Sequence, residues 1–388
     1  MKKICIITDT LRSHSLLKPL IDTLQADPEA DLTVLATYRH STRDIELSFA
    51  SIDAGADYTD QSLEISVAPG GTYTRTSADQ EQQAFAAALR DIDPEIVVLF
   101  GHSFTTFSAA VAAFLSDIPV AHIQGGESDY GVWDDAHGFG ITKIANLHFT
   151  ATETYRRRVV GFGEHPDRVF NVGDLSVDHL LNTGVPGKEE FCTAMGFDPA
   201  DEFIFVSMTP DRAIGSRNRQ LMKAVTDALE NPKYAPFKIL CEHPGPKGFA
   251  QIMQNEMEEL VRRHPGRVAF ISDEAEIIAA MTHCRAIVGN TDRCVTDAAA
   301  LRTPVVLVGD RLKDRENPGH MVPAPAGQEN LNKETVDNAL AQAICPEFKI
   351  GLMFLTSPFE QDNTPGRIAG VLRAYTRADI AAKTQYNE

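Results

Sequence analysis

The chain has 388 residues, of which 43% are hydrophobic, and a formal net charge of -18 at pH 7. That length suits two domains of similar size, and the apolar fraction excludes a disordered or fibrous chain. The acidic balance argues against nucleic-acid or anionic-membrane partners and fits a cytoplasmic protein.

The first ten residues form an apolar run too short for a signal peptide, and no later stretch reaches bilayer length. Cys5, Cys192, Cys241, Cys284, Cys294 and Cys345 show no metal-type pairing, so free thiols are expected and no metal site is. From there short β-rich runs alternate with amphipathic stretches, the pattern of parallel sheets with crossover helices. Residues 4–8, 32–36, 96–100, 120–123 and 147–150 read as strands, with helices over 16–25, 79–91, 107–115 and 154–161. Residues 168–175 read as one more strand, and the turn-rich stretch 182–187 as a linker. A second series follows, with strands at 203–207, 237–241, 268–271, 286–289 and 305–308 and helices at 218–229, 251–263, 273–281 and 296–301. The expectation is an α/β protein of two doubly wound domains that hold a ligand in the cleft between them.

Candidate chemistry gathers at the carboxyl ends of these strands, where open α/β sheets bind ligands. Gly125-Gly126 lets backbone approach a ligand and projects Glu127 beyond it, although Gly-Gly-Glu-Ser is also ordinary turn sequence. Asp129, Asp134 and Asp135 continue this acidic loop beside Trp133, the last two either as acid–base groups with separated pKa values, as a solvated loop face or as a helix cap. His102 follows another strand and is a candidate acid, base or phosphate donor, or a plain loop residue; His122 is equally a core histidine. In the second half, Asn290, Thr291, Asp292, Arg293 and Asp297 run from a strand through a polar turn into a helix, an arrangement that offers N–H groups to phosphate. Arg311, Lys313 and Arg315 then form a candidate diphosphate clamp or a solvated charged loop. No Walker loop and no Gly-x-Gly-x-x-Gly fingerprint after the first strand is present, which weakens nucleoside triphosphate hydrolysis and nicotinamide redox chemistry.

Taken together, residues 119–127, the Asp134-Asp135 pair, Ile141-Thr-Lys, Leu147-His-Phe-Thr-Ala-Thr-Glu, Val169-Phe-Asn-Val-Gly-Asp, Gly289-Asn-Thr, Gly309-Asp-Arg with Arg315, and Ser357-Pro-Phe-Glu-Gln-Asp-Asn resemble the hydrolysing UDP-N-acetylglucosamine 2-epimerases of the sialic and legionaminic acid branch. The resemblance implies the glycosyltransferase-B fold: Rossmann-like domains over 1–178 and 179–360, and a terminal segment, 361–388, that crosses back onto the first. It implies a cofactor-independent enzyme, a nucleotide-sugar substrate and a homodimer. The chemistry that the resemblance implies is elimination of nucleoside diphosphate through a 2-acetamidoglucal, followed by addition of water with inversion at C2. Glu127 and Asp134 stand at the acid–base positions, with Gly126, Thr209, Asn290, Thr291, Asp292, Arg293, Asp297, Arg311 and Arg315 toward the nucleotide and Arg12 near the amino-terminal loop. Several positions depart from the family pattern. His102 replaces an acid, Gly138-Phe139 an Arg-His pair, Thr209-Pro210 a His-Pro, Asp292-Arg293-Cys294 a Ser-Ser-Gly phosphate turn, and Asp297 a glutamate. Two alternatives stay open: a same-fold hydrolase or glycosyltransferase with reassigned chemistry, and a non-catalytic nucleotide-sugar binder.

Overall fold

The computed structural model describes residues 1–39, 45–53, 62–67, 75–129, 133–211, 217–243, 249–325, 332–383 and 386. They divide into two compact units, the first comprising Met1–Glu127, Trp133–His179 and Gln361–Glu388, the second Ser128–Val132 and Leu180–Glu360.

In the first unit the chain runs β1 (Lys2–Thr8), α1 (Leu11–Gln25), β2 (Ala30–Arg39), β3 (Ile45–Asp53), β4 (Ser62–Val67), α2 (Arg75–Ile92), β5 (Ile96–Phe100), α3 (Phe104–Leu115), β6 (Val120–Ile123), α4 (Trp133–Ile144), β7 (Leu147–Thr150), α5 (Glu153–Gly161), β8 (Val169–Asn171) and α6 (Leu175–Asn182). The strands form one eight-stranded sheet in the order β4-β3-β2-β1-β5-β6-β7-β8. β1 pairs in parallel with β2 and β5, whereas β3 runs antiparallel to β2 and β4. β1 is buried on both faces. Ile4 and Ile6 join Leu17 and Leu20 of α1 in one core, while Cys5 and Ile7 join Phe85 and Leu89 of α2 in the other. The helix Thr364–Ala374 completes the first of these cores with Ile368, Ala369 and Leu372. Burying Ile368 and Leu372 contributes roughly 1.5–3 kcal/mol each, enough to tie this distant stretch of chain into the unit.

The second unit continues with α7 (Lys188–Ala194), β9 (Phe203–Ser207), α8 (Asn218–Leu229), β10 (Lys238–Glu242), α9 (Phe249–Arg263), β11 (Val268–Ile271), α10 (Glu274–His283), β12 (Ala286–Gly289), α11 (Asp297–Leu301), β13 (Val305–Val308), β14 (Met321–Ala324), α12 (Lys333–Ala343) and α13 (Pro346–Leu352). Its six strands pair in parallel in the order β11-β10-β9-β12-β13-β14. No helix among the described residues is long and apolar enough to cross a membrane.

Several elements differ from the reading of the sequence. The strand expected over 168–175 is only Val169–Asn171, because Gly173 takes φ +90° and Asp174 caps the following helix through the Ser176 N–H. The acidic stretch after residue 132 is helical from Trp133 rather than a loop. The β3–β4 hairpin, β14 and α12 are additions.

Candidate functional site

In the first unit the candidates lie at the carboxyl edge of the sheet. β5 ends in Gly101 at φ +77°, which turns the chain so that His102 precedes the Ser103 cap of α3. Ser103 Oγ accepts from the Thr106 N–H at 3.1 Å and fixes the helix start. His102 is half-buried, and Gly138 of α4 passes over it: a Cβ on Gly138 would lie 3.2 Å from the His102 Cβ. The glycine therefore provides the space that the imidazole occupies.

The neighbouring strand β6 carries His122, which is fully buried. Its Nε2 donates to the Gly101 carbonyl at 2.9 Å, and the position a Gly125 Cβ would take is 3.3 Å from its Nδ1. Burial pushes its pKa down to about 3 even though the hydrogen bond to Gly101 opposes the shift. A neutral ring thus spaces two loops, one leading to His102 and the other to Glu127. After β6, Gln124 adopts φ +70° and reaches Asp174 Oδ2 at 3.4 Å. Gly126 follows at φ +85°, where a Cβ would come within 2.6 Å of the Tyr155 carbonyl oxygen, so no side chain fits. Its own carbonyl accepts from Arg158 Nη1 at 2.7 Å. Glu127 emerges half-buried from this fixed turn. Asp134 and Asp135 lie in the first turn of α4, where the helix dipole favours carboxylates. Asp135 is half-buried, and the Asp134 side chain lies outside the described residues. Arg12 is exposed in the first turn of α1, within the Thr10–Ser13 capping box.

The second unit gathers its candidates at the carboxyl ends of β9, β10, β12 and β13. Ser207 Oγ donates to Glu242 Oε2 at 2.5 Å and lies 2.8 Å from Thr291 Oγ1. Asn290 spends its side chain on backbone: Oδ1 accepts from the Thr209 N–H at 2.7 Å, and Nδ2 donates to the Thr209 carbonyl at 3.0 Å. It joins two loops rather than presenting an amide to a ligand. Arg311 Nη1 donates to the Asn290 carbonyl at 2.8 Å, which aims the guanidinium along the same edge.

Arg311 and Arg315 share two carboxylates. Arg311 Nη2 contacts Asp129 Oδ2 at 2.7 Å, while Arg315 donates to Asp129 Oδ1 from Nε at 3.0 Å and from Nη2 at 2.8 Å. Asp292 adds contacts of 3.4 Å to Arg311 and 3.2 Å to Arg315. Desolvation opposes the Arg311 charge, but Asp292 and Asp129 outweigh it and hold its pKa above the ordinary guanidinium value. The expected clamp residues Arg311 and Arg315 are therefore each paired with the Asp129 and Asp292 carboxylates. Arg293 and Asp297 are placed differently from the expectation. Arg293 is only 3% exposed, pairs with Glu274, and lies 3.5 Å from Asp297, which is itself buried and accepts from Thr296 Oγ1 at 2.9 Å. This pair belongs to the interior, because leaving either charge buried and unpaired would cost several kcal/mol, of order 3–5.

Ser207, Glu242, Gln124 and Asp174 lie outside the candidates read from the sequence. Ser207 and Glu242 end β9 and β10, so the strand-end rule was a sufficient signal for them. Asp129, just past the end of β6, carries the same strand-end signal, but its partners, 182 and 186 residues away, give none.

Comparison with known proteins adds identity to this geometry. The family model described as UDP-N-acetylglucosamine 2-epimerase matches residues 22–373. The GDP/UDP-N,N'-diacetylbacillosamine 2-epimerase (hydrolyzing) of Campylobacter jejuni is 26% identical over 317 residues, covering 81% of this chain and 82% of the relative. The polysialic acid biosynthesis protein P7 of Escherichia coli is 24% identical, covering 84% and 83%. Among solved structures, the S. aureus MnaA–UDP co-structure superposes with a TM-score of 0.76 at 18% identity over the full length of both chains, a likeness that establishes the glycosyltransferase-B fold.

Proposed function

Because this chain belongs to the UDP-N-acetylglucosamine 2-epimerase family, we propose that it is a hydrolysing 2-epimerase of a UDP-linked N-acetylhexosamine-type sugar. The reaction removes the C2 proton as the C1–oxygen bond to the diphosphate breaks, forming a C1=C2 double bond. Water then supplies hydroxyl to C1 and a proton to C2 from the opposite face. Glu127 and Asp134 are the acid–base pair in this reading, Asp135 supports Asp134, and His102 takes a third proton-transfer role. The guanidiniums of Arg311 and Arg315, the backbone of the Asn290–Thr291 turn and the Thr209 loop stabilise the departing diphosphate, with Arg12 an additional cation.

The observation that carries this reading is the Gly125-Gly126 turn. It is locked from both sides by His122 and Tyr155, and it presents Glu127 at the sheet edge where α/β ligands bind. The same reading carries a cytoplasmic homodimer. A panel of UDP- and GDP-sugars, assayed for free nucleoside diphosphate, tests it. Release from one N-acetylated UDP-sugar, falling at least about a hundredfold in Glu127→Gln, is the expected result. Near-normal turnover of that variant removes Glu127 from the mechanism.

A further inference from the structure

Helix α4 links the acid–base turn to a buried charge cluster at its other end. Its first turn carries Asp134 and Asp135, and Gly138, one turn on, passes over His102. Gly138 and Gly140 make room for the His102 side chain and the Phe107 ring, and both lower helix propensity. α4 therefore depends on tertiary contacts to hold its axis, and a charged set of them lies at its carboxyl end. There the Asn146 N–H, which would otherwise continue the helix onto the Thr142 carbonyl, goes to the Val120 carbonyl of β6 at 2.7 Å. Lys383 supplies the missing donor. Its Nζ donates to the Thr142 carbonyl at 3.0 Å, the Ala145 carbonyl at 2.5 Å and Glu164 Oε2 at 2.7 Å, so all three ammonium protons are used. The positive charge also faces the negative end of the helix dipole. Lys383 is itself held in place. Arg168 donates to the Ala382 and Asp379 carbonyls at 2.7 and 3.0 Å, Asn146 Nδ2 donates to the Ile380 carbonyl at 2.8 Å, and the Ile380 side chain is buried.

We infer that Lys383 is a positioning residue: from the carboxyl end of α4 it sets where the helix presents its first turn, and with it the Asp134 and Asp135 carboxylates. The inference rests on the reading of that turn as part of the acid–base site. From Thr142 back to Asp134 the helix rises about 12 Å, so a tilt of about 5° at the cap moves the first turn by about 1 Å. A misplacement of that size at the reacting groups costs on the order of a hundredfold in rate. The diphosphate is assigned chiefly to residues of the second unit, whereas α4, Glu164 and Lys383 all belong to the first. Loss of Lys383 should therefore strike turnover and spare nucleotide affinity.

Lys383→Met in the full chain, which keeps the unbranched stem and removes the charge and the donors, tests this. Trp133, the single tryptophan, opens α4 and reports on its amino end. Its emission maximum should shift in the variant while the far-ultraviolet circular dichroism stays that of the natural chain. The kcat for release of nucleoside diphosphate should fall at least about tenfold. The Kd for UDP, from isothermal titration, should stay as it is in the natural chain, and Lys383→Arg should recover part of both kcat and emission. Natural emission or natural kcat in the folded Lys383→Met chain overturns the positioning role, and so does a parallel loss of UDP affinity. Should Lys383→Met fail to fold, Arg168→Ala, which frees the Lys383 segment at Ala382 and Asp379, decides by the same readouts. Failure of the natural protein to release nucleoside diphosphate from any sugar of the panel overturns the proposed function, and this inference with it.

Discussion

Glu164→Gln should destabilise the first unit in a way that depends on pH. The Glu164 side chain is 4% exposed and accepts from Lys143 Nζ at 2.7 Å, His148 Nε2 at 3.1 Å and Lys383 Nζ at 2.7 Å. Lys383 also donates to the Thr142 and Ala145 carbonyls at 3.0 and 2.5 Å, capping the helix whose first turn bears Asp134 and Asp135. Burial alone would raise the Glu164 carboxyl, but the bonds from His148, Lys143 and Lys383 outweigh it and hold its pKa at about 2, below its ordinary 4.5. At roughly 1.4 kcal/mol per pH unit that displacement corresponds to about 3 kcal/mol, reduced to about 2 kcal/mol by solvent around the half-exposed Lys143 arm. A depressed carboxyl stabilises the fold above its unfolded pKa and loses that contribution as pH falls through the folded value. The deficit of the variant in urea unfolding, followed by circular dichroism, should be about 2 kcal/mol at pH 7 and about half that at pH 3. A deficit unchanged between those pH values, or below about 0.5 kcal/mol at pH 7, refutes the charge network as its source.

Gly126→Ala places a Cβ against the Tyr155 carbonyl at a backbone φ of +85°. It should cost about 3 kcal/mol in thermal or urea unfolding and most of the turnover, so a variant of normal stability contradicts the locked turn. His122→Phe keeps a planar ring, though a larger one, and leaves the Gly101 carbonyl unsatisfied, with an expected loss of about 1–3 kcal/mol in urea unfolding and a fall in kcat. With its pKa near 3, His122 stays neutral above about pH 5. The inflections of the pH–rate profile between about pH 5 and 8 should therefore stay where they are in that variant, and a displaced inflection would assign the titration to His122 instead.

Much of the sheet framework was readable because parallel strands buried on both faces are continuous apolar runs. The strands β5, β6, β7, β9, β11, β12 and β13 coincide with their expected spans for this reason. α4 was obscured by Gly138 and Gly140, which lower helix propensity. They are required by neighbours far away in sequence, His102 and the Phe107 ring, the latter 2.7 Å from where a Gly140 Cβ would stand. β14 contains Pro323, and β3 and β4 follow no crossover helix, so neither fits the alternating pattern. The candidate carboxylates were visible as strand-end residues, but their charge partners were not. Asp129 finds Arg311 and Arg315 only through the tertiary fold, as Glu164 finds Lys383. The sequence therefore displayed Arg311 and Arg315 as available cations, whereas the fold pairs them with carboxylates.

A hydrolysing 2-epimerase exchanges the C2 proton with solvent as nucleoside diphosphate departs. Proton NMR in deuterated water, run with the nucleotide sugar from which the panel assay detects release of nucleoside diphosphate, provides the test. The account predicts free UDP together with a 2-epimeric sugar carrying deuterium at C2 in every molecule. Release of UDP with the original C2 proton and configuration retained would show simple hydrolysis and contradict it.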